Sequence, residues 1–226
     1  MQYDFDTPID RTHTWSIKHD FKKENGKADD ILPLWVADMD FPCAPAVVDA
    51  VKRLLLVVDY QKDFVDGALG FPGAEALDGP IAAKIAACRA AGDDVAFTLD
   101  THGPDYLDTQ EGRKLPVPHC LLNSEGWQLY GQTGQAMERS RDMVIGKGAF
   151  PSLWLANWLK EQGYDRVELA GLVSYLCVLS NAIMVKAALP EAEIVVDASC
   201  TAGPDPDLHA KGLDVMEALQ ITVLNR

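Results

Sequence analysis

The chain has 226 residues, of which 48% are hydrophobic and 24% are charged. This composition is that of a globular protein, and the length suffices for one α/β domain with a sizeable core. Asp and Glu number 34 against 20 Lys and Arg, which gives a formal net charge of -14. Such a surface repels phosphate backbones and anionic lipids, so we expect neither nucleic acid nor a membrane as a partner.

The cysteine pattern and the first residues of the chain indicate the cellular compartment in which the protein resides. Five cysteines, at positions 43, 88, 120, 177 and 200, form neither a CxxC pair nor an evenly spaced framework. The start does not show the basic stretch and apolar run of a secretory signal, and the longest apolar runs are too short to span a bilayer. These features predict a reduced, cytoplasmic protein.

Residues 1–53 show no long strand pattern, and we do not expect them to fold alone. Their motifs resemble the N-terminus of pyridoxal-phosphate-dependent carbon–sulfur lyases of the cystathionine β-lyase type: Tyr3-Asp4-Phe5-Asp6, Ile9-Asp10-Arg11 and Leu34-Trp35-Val36-Ala37-Asp38-Met39-Asp40-Phe41. The Schiff-base lysine and phosphate site of that family have no counterpart here, so pyridoxal phosphate is not expected. The sequence predicts a lyase-like fragment, residues 1–53, fused to a complete domain, residues 54–226.

From residue 54 onwards, apolar runs typical of buried strands alternate with helical patterns. Alternating strands and helices imply right-handed crossovers. The predicted fold is therefore α/β, with a doubly wound, mostly parallel six-stranded sheet, helices on both faces and a short N-terminal appendage. Strands are predicted at 54–59, 94–100, 143–147, 166–171, 193–197 and 219–224, and helices at 79–91, 152–162, 176–188 and 206–219.

Reactive side chains follow the ends of the predicted strands, which is where doubly wound sheets carry their sites. Asp59 ends the first strand, Asp100 and His102 end the second, and Lys147 ends the third. Cys177 follows the fourth strand near a helix start, whose free N–H groups can lower a thiol pKa and bind an oxyanion. Alone, Cys177 is better explained as a small buried residue. The other groups at this sheet edge favour a nucleophile.

Three motifs in this order resemble the isochorismatase-like cysteine hydrolases, and within them the nicotinamidase branch: Val58-Asp59-Tyr60-Gln61-Lys62-Asp63-Phe64, Lys147, and the loop from Gly171 to Val178. The resemblance implies a triad of Asp59, Lys147 and Cys177. Cys177 would attack a carboxamide carbon, Asp59 would pass the thiol proton to departing ammonia, and cationic Lys147 would favour the ionised forms of both. It also implies a cis peptide between Leu172 and Val173, with the N–H groups of Val173 and Cys177 as the oxyanion hole.

The same resemblance implies a divalent metal ion beside the nucleophile. Asp100 and His102 form a DxH motif, and His119 lies between Pro118 and a cysteine, so Asp100, His102 and His119 are the expected ligands. Zinc is the favoured ion, with manganese and iron as alternatives. Glu111 in the intervening loop is an additional candidate ligand. The alternative is that both histidines are unrelated polar loop residues.

The substrate pocket is predicted to include Phe64, Pro116 and Tyr175. Phe64 would form an aromatic wall, Pro116 stands where nicotinamidases often carry an aromatic residue that stacks on the pyridine ring, and Tyr175 follows Ser174 where Thr-Asp is common. The favoured reaction converts nicotinamide to nicotinate and ammonia. The alternatives are another small amide or carbamoyl compound and, in a different class, a non-catalytic protein with an N-terminal interaction arm. A homo-oligomer is expected because oligomers are usual in this family.

Overall fold

The computed structural model describes residues 51–226. The lyase-like motifs and the appendage predicted for residues 1–53 therefore lie outside the described residues, except for the last three positions, and the boundary at residue 54 stays a prediction. Among the helices of residues 51–226, none combines the length and the apolar character that crossing a membrane requires.

Six strands form one sheet in the order β3-β2-β1-β4-β5-β6, and every pair of neighbours is parallel. This arrangement confirms the predicted fold class, with an all-parallel rather than a mostly parallel sheet. The strand most enriched in Leu and Val, β1, lies in the middle, as expected for a run buried on both faces. The strands are β1 Arg53–Val58, β2 Asp94–Asp100, β3 Met143–Lys147, β4 Arg166–Leu172, β5 Glu193–Ala202 and β6 Thr222–Leu224.

Within residues 51–226, seven α-helices connect the strands: α1 Lys62–Val65, α2 Asp78–Ala91, α3 Gln110–Lys114, α4 Gly131–Ala136, α5 Leu153–Gln162, α6 Leu179–Ala188 and α7 Pro206–Ala218. The three shortest, α1, α3 and α4, were not predicted, since four to six residues are too few to show helical periodicity. The sixth strand is shorter than predicted. Gln220, with a φ of 63°, turns the chain after α7 before β6 begins.

The side chains of β1 alternate between two hydrophobic layers. Leu54, Leu56 and Val58 pack on one face with α5, α6 and α7, whereas Leu55 and Val57 pack on the other with α2. Burying one such side chain contributes about 1.5–3 kcal/mol to folding. Helices thus cover both faces of the sheet, as predicted, and the helical residues in these layers include Ile81, Ile85, Leu155, Leu159, Ala182, Val185, Leu213 and Met216.

The strand register brings the carboxyl ends of β1, β2, β3 and β4 to one edge. Asp100 at the end of β2 pairs with Lys147 at the end of β3, and Val58 of β1 pairs with Gly171 of β4. A Cβ at position 171 would lie 2.0 Å from the Val58 carbonyl oxygen, and Gly171 has a φ of 113°. Only glycine allows this close approach, so Gly171 fixes the distance between Asp59 and the loop after β4.

Candidate active site

The loop after β4 presents Cys177. The peptide bond between Leu172 and Val173 is cis, at the position where the resemblance places one. A π-helical turn, Ser174–Val178, follows, and the Val173 carbonyl accepts hydrogen bonds from the N–H groups of Leu176 (3.0 Å) and Val178 (3.1 Å). Cys177 is 6% exposed. The nucleophile predicted from sequence therefore lies at a strand-to-helix junction, in a π turn rather than the first turn of an α-helix.

Asp59, Lys147 and Cys177 come together at the sheet edge, all of them buried. The Lys147 Nζ lies 2.6 Å from Asp59 Oδ2 and 3.5 Å from Cys177 Sγ, and it donates to the Ala149 carbonyl at 3.1 Å. The Thr98 hydroxyl donates to Asp59 Oδ1 at 2.7 Å. Asp59 itself has a φ of 46°, which is uncommon for a residue with a side chain and turns the carboxylate out of the strand direction.

Burial dominates the protonation of this group. Burial and the Asp59 charge raise the pKa of the Cys177 thiol against the lowering effect of Lys147, so the resting thiol is protonated. Burial likewise raises the pKa of Asp59 more than Lys147 lowers it. Burial lowers the pKa of Lys147, but Asp59 and Cys177 outweigh burial and raise the pKa above its usual value, so the ammonium is retained. Lys147 acts in the predicted direction on both neighbours, yet burial outweighs its effect.

Asp100, His102 and His119 form a second buried cluster, in which one ligand atom of each lies within 4.8 Å of the others. Asp100 Oδ2 lies 3.0 Å from His102 Nε2 and 3.4 Å from His119 Nε2. Burial raises the pKa of Asp100, but the contacts with both histidines and the Lys147 charge outweigh burial and lower the pKa below its usual value, so the carboxylate is ionised. His119 Nδ1 donates to the Val117 carbonyl at 2.8 Å, which leaves Nε2 as the ligand nitrogen.

This donor set fits a divalent ion. One carboxylate and two imidazoles are ligands that zinc, manganese and iron accept, and the three atoms already converge without any change of backbone. Glu111 is not part of the three-residue cluster among the described residues, but it lines the adjoining cavity together with Asp100 and His119.

A cavity of about 190 Å³ joins the two clusters, because Cys177 lines it together with Asp100 and His119. Its remaining walls are largely apolar. The complete lining is Phe64, Leu69, Asp100, Glu111, Leu115, His119, Phe150, Val173, Leu176, Cys177 and Pro204.

Of the three residues predicted for the substrate pocket, Phe64 lines this cavity, whereas Pro116 and Tyr175 are not among its lining residues. Pro116 is exposed, and its neighbour Leu115 faces the cavity instead. In the π turn, Leu176 and Cys177 face the cavity, while the Tyr175 ring lies against Gly203 in the segment before α7 and its Cβ lies against Gly212 of α7. Sequence offsets could not fix these directions, because they depend on the hydrogen bonding of the turn.

Sequence reasoning missed several residues of the site. Phe150 and Leu176 had an indication in the sequence, since each lies within three residues of Lys147 or Cys177. Leu69 and Pro204 had none, because the loops that bring them to the cavity are far apart in sequence. Thr98 lies two positions before Asp100, on the same face of β2, and alternation along the strand could have indicated it.

A family model for the isochorismatase domain matches residues 53–226, so the chain belongs to this family. The nicotinamidase/pyrazinamidase of Mycobacterium tuberculosis is 26% identical over 188 residues, which cover 76% of this chain and 98% of that protein. The chain is therefore a hydrolase that acts on amide C–N bonds.

Solved structures agree with this assignment. The nicotinamidase/pyrazinamidase PncA of Bacillus subtilis is 26% identical, with a TM-score of 0.69 over 77% of this chain and 100% of that one. A pyrazinamidase of Pyrococcus horikoshii, solved in complex with zinc, is 23% identical, with a TM-score of 0.68 over 77% of this chain and 99% of that one. At that identity, the second comparison supports the fold alone.

One further match covers a small part of the chain. Protein MalY of Escherichia coli is 33% identical over 54 residues, which are 24% of this chain and 14% of that protein. A match of this extent leaves the lyase-like character of the N-terminal residues a prediction.

Proposed function

We propose that this hydrolase cleaves a small carboxamide, with nicotinamide as the favoured substrate, through a thioester on Cys177. The observation that carries the proposal is the contact of Lys147 with both Asp59 and Cys177 at a cavity that also holds Asp100 and His119. Relatives whose names state nicotinamidase activity support the choice of substrate.

The chemistry follows from the resting protonation states. Asp59 takes the thiol proton as the sulfur of Cys177 attacks the amide carbon, and it passes that proton to the departing nitrogen, so that ammonia leaves as the thioester forms. Lys147 Nζ lies between the two groups, 2.6 Å from Asp59 Oδ2 and 3.5 Å from Cys177 Sγ. Lys147 stabilises the negative charge that moves between the two, and water then hydrolyses the thioester to the acid and free Cys177.

The N–H groups of Val173 and Cys177 are proposed to receive the oxyanion. Both residues line the cavity, and a tight turn closed on the Val173 carbonyl joins them. Backbone donors held in this way cost no reorganisation as charge develops on the carbonyl oxygen.

Asp100, His102 and His119 are proposed to hold a divalent ion, with zinc favoured and Glu111 as an additional ligand. When bound, the ion would supply positive charge and open coordination positions at the substrate. The residues themselves orient the site: Asp100 Oδ2 lies 3.0 Å from His102 Nε2 and 3.4 Å from His119 Nε2, and the Val117 carbonyl fixes the ring of His119.

The cavity favours an uncharged substrate. Its lining residues include no Lys or Arg among those described, whereas Asp100 and Glu111 are acidic. Lys147 is engaged by Asp59 and so offers no free cation for a substrate carboxylate. A carbamoyl compound that carries a carboxylate is therefore disfavoured. Another small uncharged amide is the second candidate, because Pro116 stands where nicotinamidases often carry a stacking aromatic residue and Leu115 faces the cavity there.

Ammonia release from nicotinamide tests the proposal. We expect activity in the unaltered protein, loss of activity in Cys177→Ala, and loss on metal removal that added zinc reverses. Cys88→Ala is the matched control, since Cys88 lies on α2 outside the cavity. N-carbamoylglycine, assayed in parallel, should be the poorer substrate. Full activity in Cys177→Ala would overturn the thioester mechanism.

We also propose that the chain forms a homo-oligomer. Leu153 and Trp154 at the start of α5 are 74% and 54% exposed, beside the cavity residue Phe150. Large exposed apolar side chains of this kind are typical of surfaces that become buried in an assembly. Light scattering should give the mass of at least two chains, and Trp154→Lys should lower it. A monomeric unaltered protein would contradict the proposal.

A further inference from the structure

Two polar side chains near α1, Gln61 and Asp63, have no part in the chemistry proposed above. Gln61 holds the backbone of the candidate ligand Asp100, and Asp63 holds the backbone N–H of Cys120, directly after the candidate ligand His119. We propose that Gln61 and Asp63 are positioning residues that orient Asp100 and His119 for metal binding. The inference rests on the metal site of the proposed function and concerns the layer of side chains behind it.

Gln61 holds the end of β2. Its side chain is fully buried. The Oε1 atom accepts from the Asp100 N–H at 2.7 Å, and the Nε2 atom donates to the Asp100 carbonyl at 2.9 Å and to the Trp127 carbonyl at 2.8 Å. One amide thus engages both backbone groups of Asp100. Rotation of this residue, which would swing the carboxylate away from the two imidazoles, would break two buried hydrogen bonds.

Asp63 holds the turn that carries His119. Its Oδ2 accepts from the N–H of Cys120 at 2.7 Å, and its Oδ1 accepts from the N–H of Ala68 at 3.2 Å. Cys120 has a φ of 44°, a conformation that a residue with a side chain rarely adopts without outside support. The hydrogen bond from Asp63 supplies that support directly after His119.

The residues around Asp63 leave room for its carboxylate in this position. A Cβ at Gly126 would lie 2.1 Å from Asp63 Oδ2, so only glycine leaves room for the carboxylate. The ring of Phe64 also meets the ring of His119 edge to face, with centroids 5.6 Å apart. Residues 61–64 therefore contact both the strand end and the loop that supply ligands, which lie 19 positions apart in the sequence.

Such anchors matter because ligand orientation sets metal affinity. Loss of a residue that orients a ligand typically weakens binding by about 10- to 100-fold. His102 needs no separate anchor from α1, because its N–H donates to the Cys120 carbonyl at 3.0 Å and its carbonyl accepts from Leu122 at 2.9 Å.

Asp78 provides a matched control within the same chain. Like Asp63, it accepts two backbone N–H groups, those of Gln132 (2.8 Å) and Thr133 (2.9 Å), and it lies 2.3 Å from where a Cβ of Gly131 would be. The segment it holds, α4, carries no candidate ligand. Asp78→Asn therefore makes the same change in charge and hydrogen bonding as Asp63→Asn without touching the metal cluster.

The test measures zinc affinity of the purified full chain by competition with a chromophoric chelator, for the unaltered protein, Asp63→Asn, Gln61→Met and Asp78→Asn. Gln61→Met removes the hydrogen bonds at constant charge and similar volume, so it separates orientation from electrostatics. We expect zinc binding to weaken about 10- to 100-fold in Asp63→Asn and Gln61→Met, with no change in Asp78→Asn. The visible absorption of the cobalt(II) form at saturation should change in the first two variants only.

Thermal unfolding of the metal-free proteins shows whether the variants are comparably destabilised. Equal loss of zinc affinity in Asp78→Asn, or unaltered affinity and cobalt spectra in both Asp63→Asn and Gln61→Met, would overturn the inference while leaving the proposed hydrolysis intact. An unaltered protein that binds no zinc would overturn both this inference and the metal site. Ammonia release by the unaltered protein and its loss in Cys177→Ala would then test the hydrolysis separately.

Discussion

The hydroxyl of Thr98 donates to Asp59 at 2.7 Å in a fully buried setting, and Thr98→Val removes this donor at nearly constant shape. A hydrogen bond to a charged acceptor contributes about 1.5–3 kcal/mol. Without it, the carboxylate form of Asp59 loses that stabilisation relative to the carboxylic acid. On the acidic side of the pH profile, below the pKa of Asp59, kcat/KM for nicotinamide should therefore fall about 10- to 150-fold.

The pH profile distinguishes this cause from misfolding. The hydrogen bond from Thr98 lowers the pKa of Asp59, so its loss raises that pKa and moves the acidic limb of kcat/KM to higher pH. Thr201→Val is the control, because Thr201 is also buried and its hydroxyl has no hydrogen-bond partner among the described residues. If Thr98→Val keeps the activity and acidic limb of the unaltered enzyme, Asp59 does not act as the base.

Three further predictions concern stability. Lys147→Met leaves Asp59 buried without its cation, so denaturant titration should show a loss of about 3–5 kcal/mol, and a smaller loss than in Cys88→Ala would contradict the pairing. Burial raises the pKa of Asp197, but the hydrogen bond from Lys84 and others outweigh burial and lower that pKa to about 2. The folded state should therefore lose roughly 2 kcal/mol of stability as the pH falls from about 4 to 2. Acid titrations followed by circular dichroism should show this dependence, and Asp197→Asn should flatten it. Gly171→Ala, with no room at the Val58 carbonyl, should not accumulate as folded protein, and a normal melting temperature would refute the close approach.

The elements that sequence predicted best are those in which one local pattern decides the structure. The run Leu54 to Val58 is apolar at every position, which identifies a strand buried on both faces, and the rule that sites lie at strand ends then places Asp59, Lys147 and Cys177 on one edge. The six strands, the helices on both faces and the hydrolase family follow from these patterns and are confirmed. The roles assigned to individual residues of the triad stay predictions.

The details that sequence could not provide depend on partners far apart in the chain. Lys84 pairs with Glu168 and Asp197, three charges on a helix and two separate strands, and no periodicity indicates such a cluster. Tyr175 does not line the cavity because the direction of a side chain in a π turn is set by the turn itself. Pro116 does not line it because the loop before His119 presents the neighbouring residue, Leu115.

The place of Tyr175 has a consequence for sequence variation among relatives. A Cβ at position 203 would lie 2.4 Å from Cε1 of the Tyr175 ring, whereas one at position 212 would lie 2.8 Å from the Tyr175 Cβ. A shorter residue at 175 therefore removes the ring contact at position 203, where Val173 Cγ1 at 2.9 Å remains, but it does not relieve position 212. Positions 175 and 203 should covary, while glycine at 212 should persist whenever α7 packs against the nucleophile turn in this way.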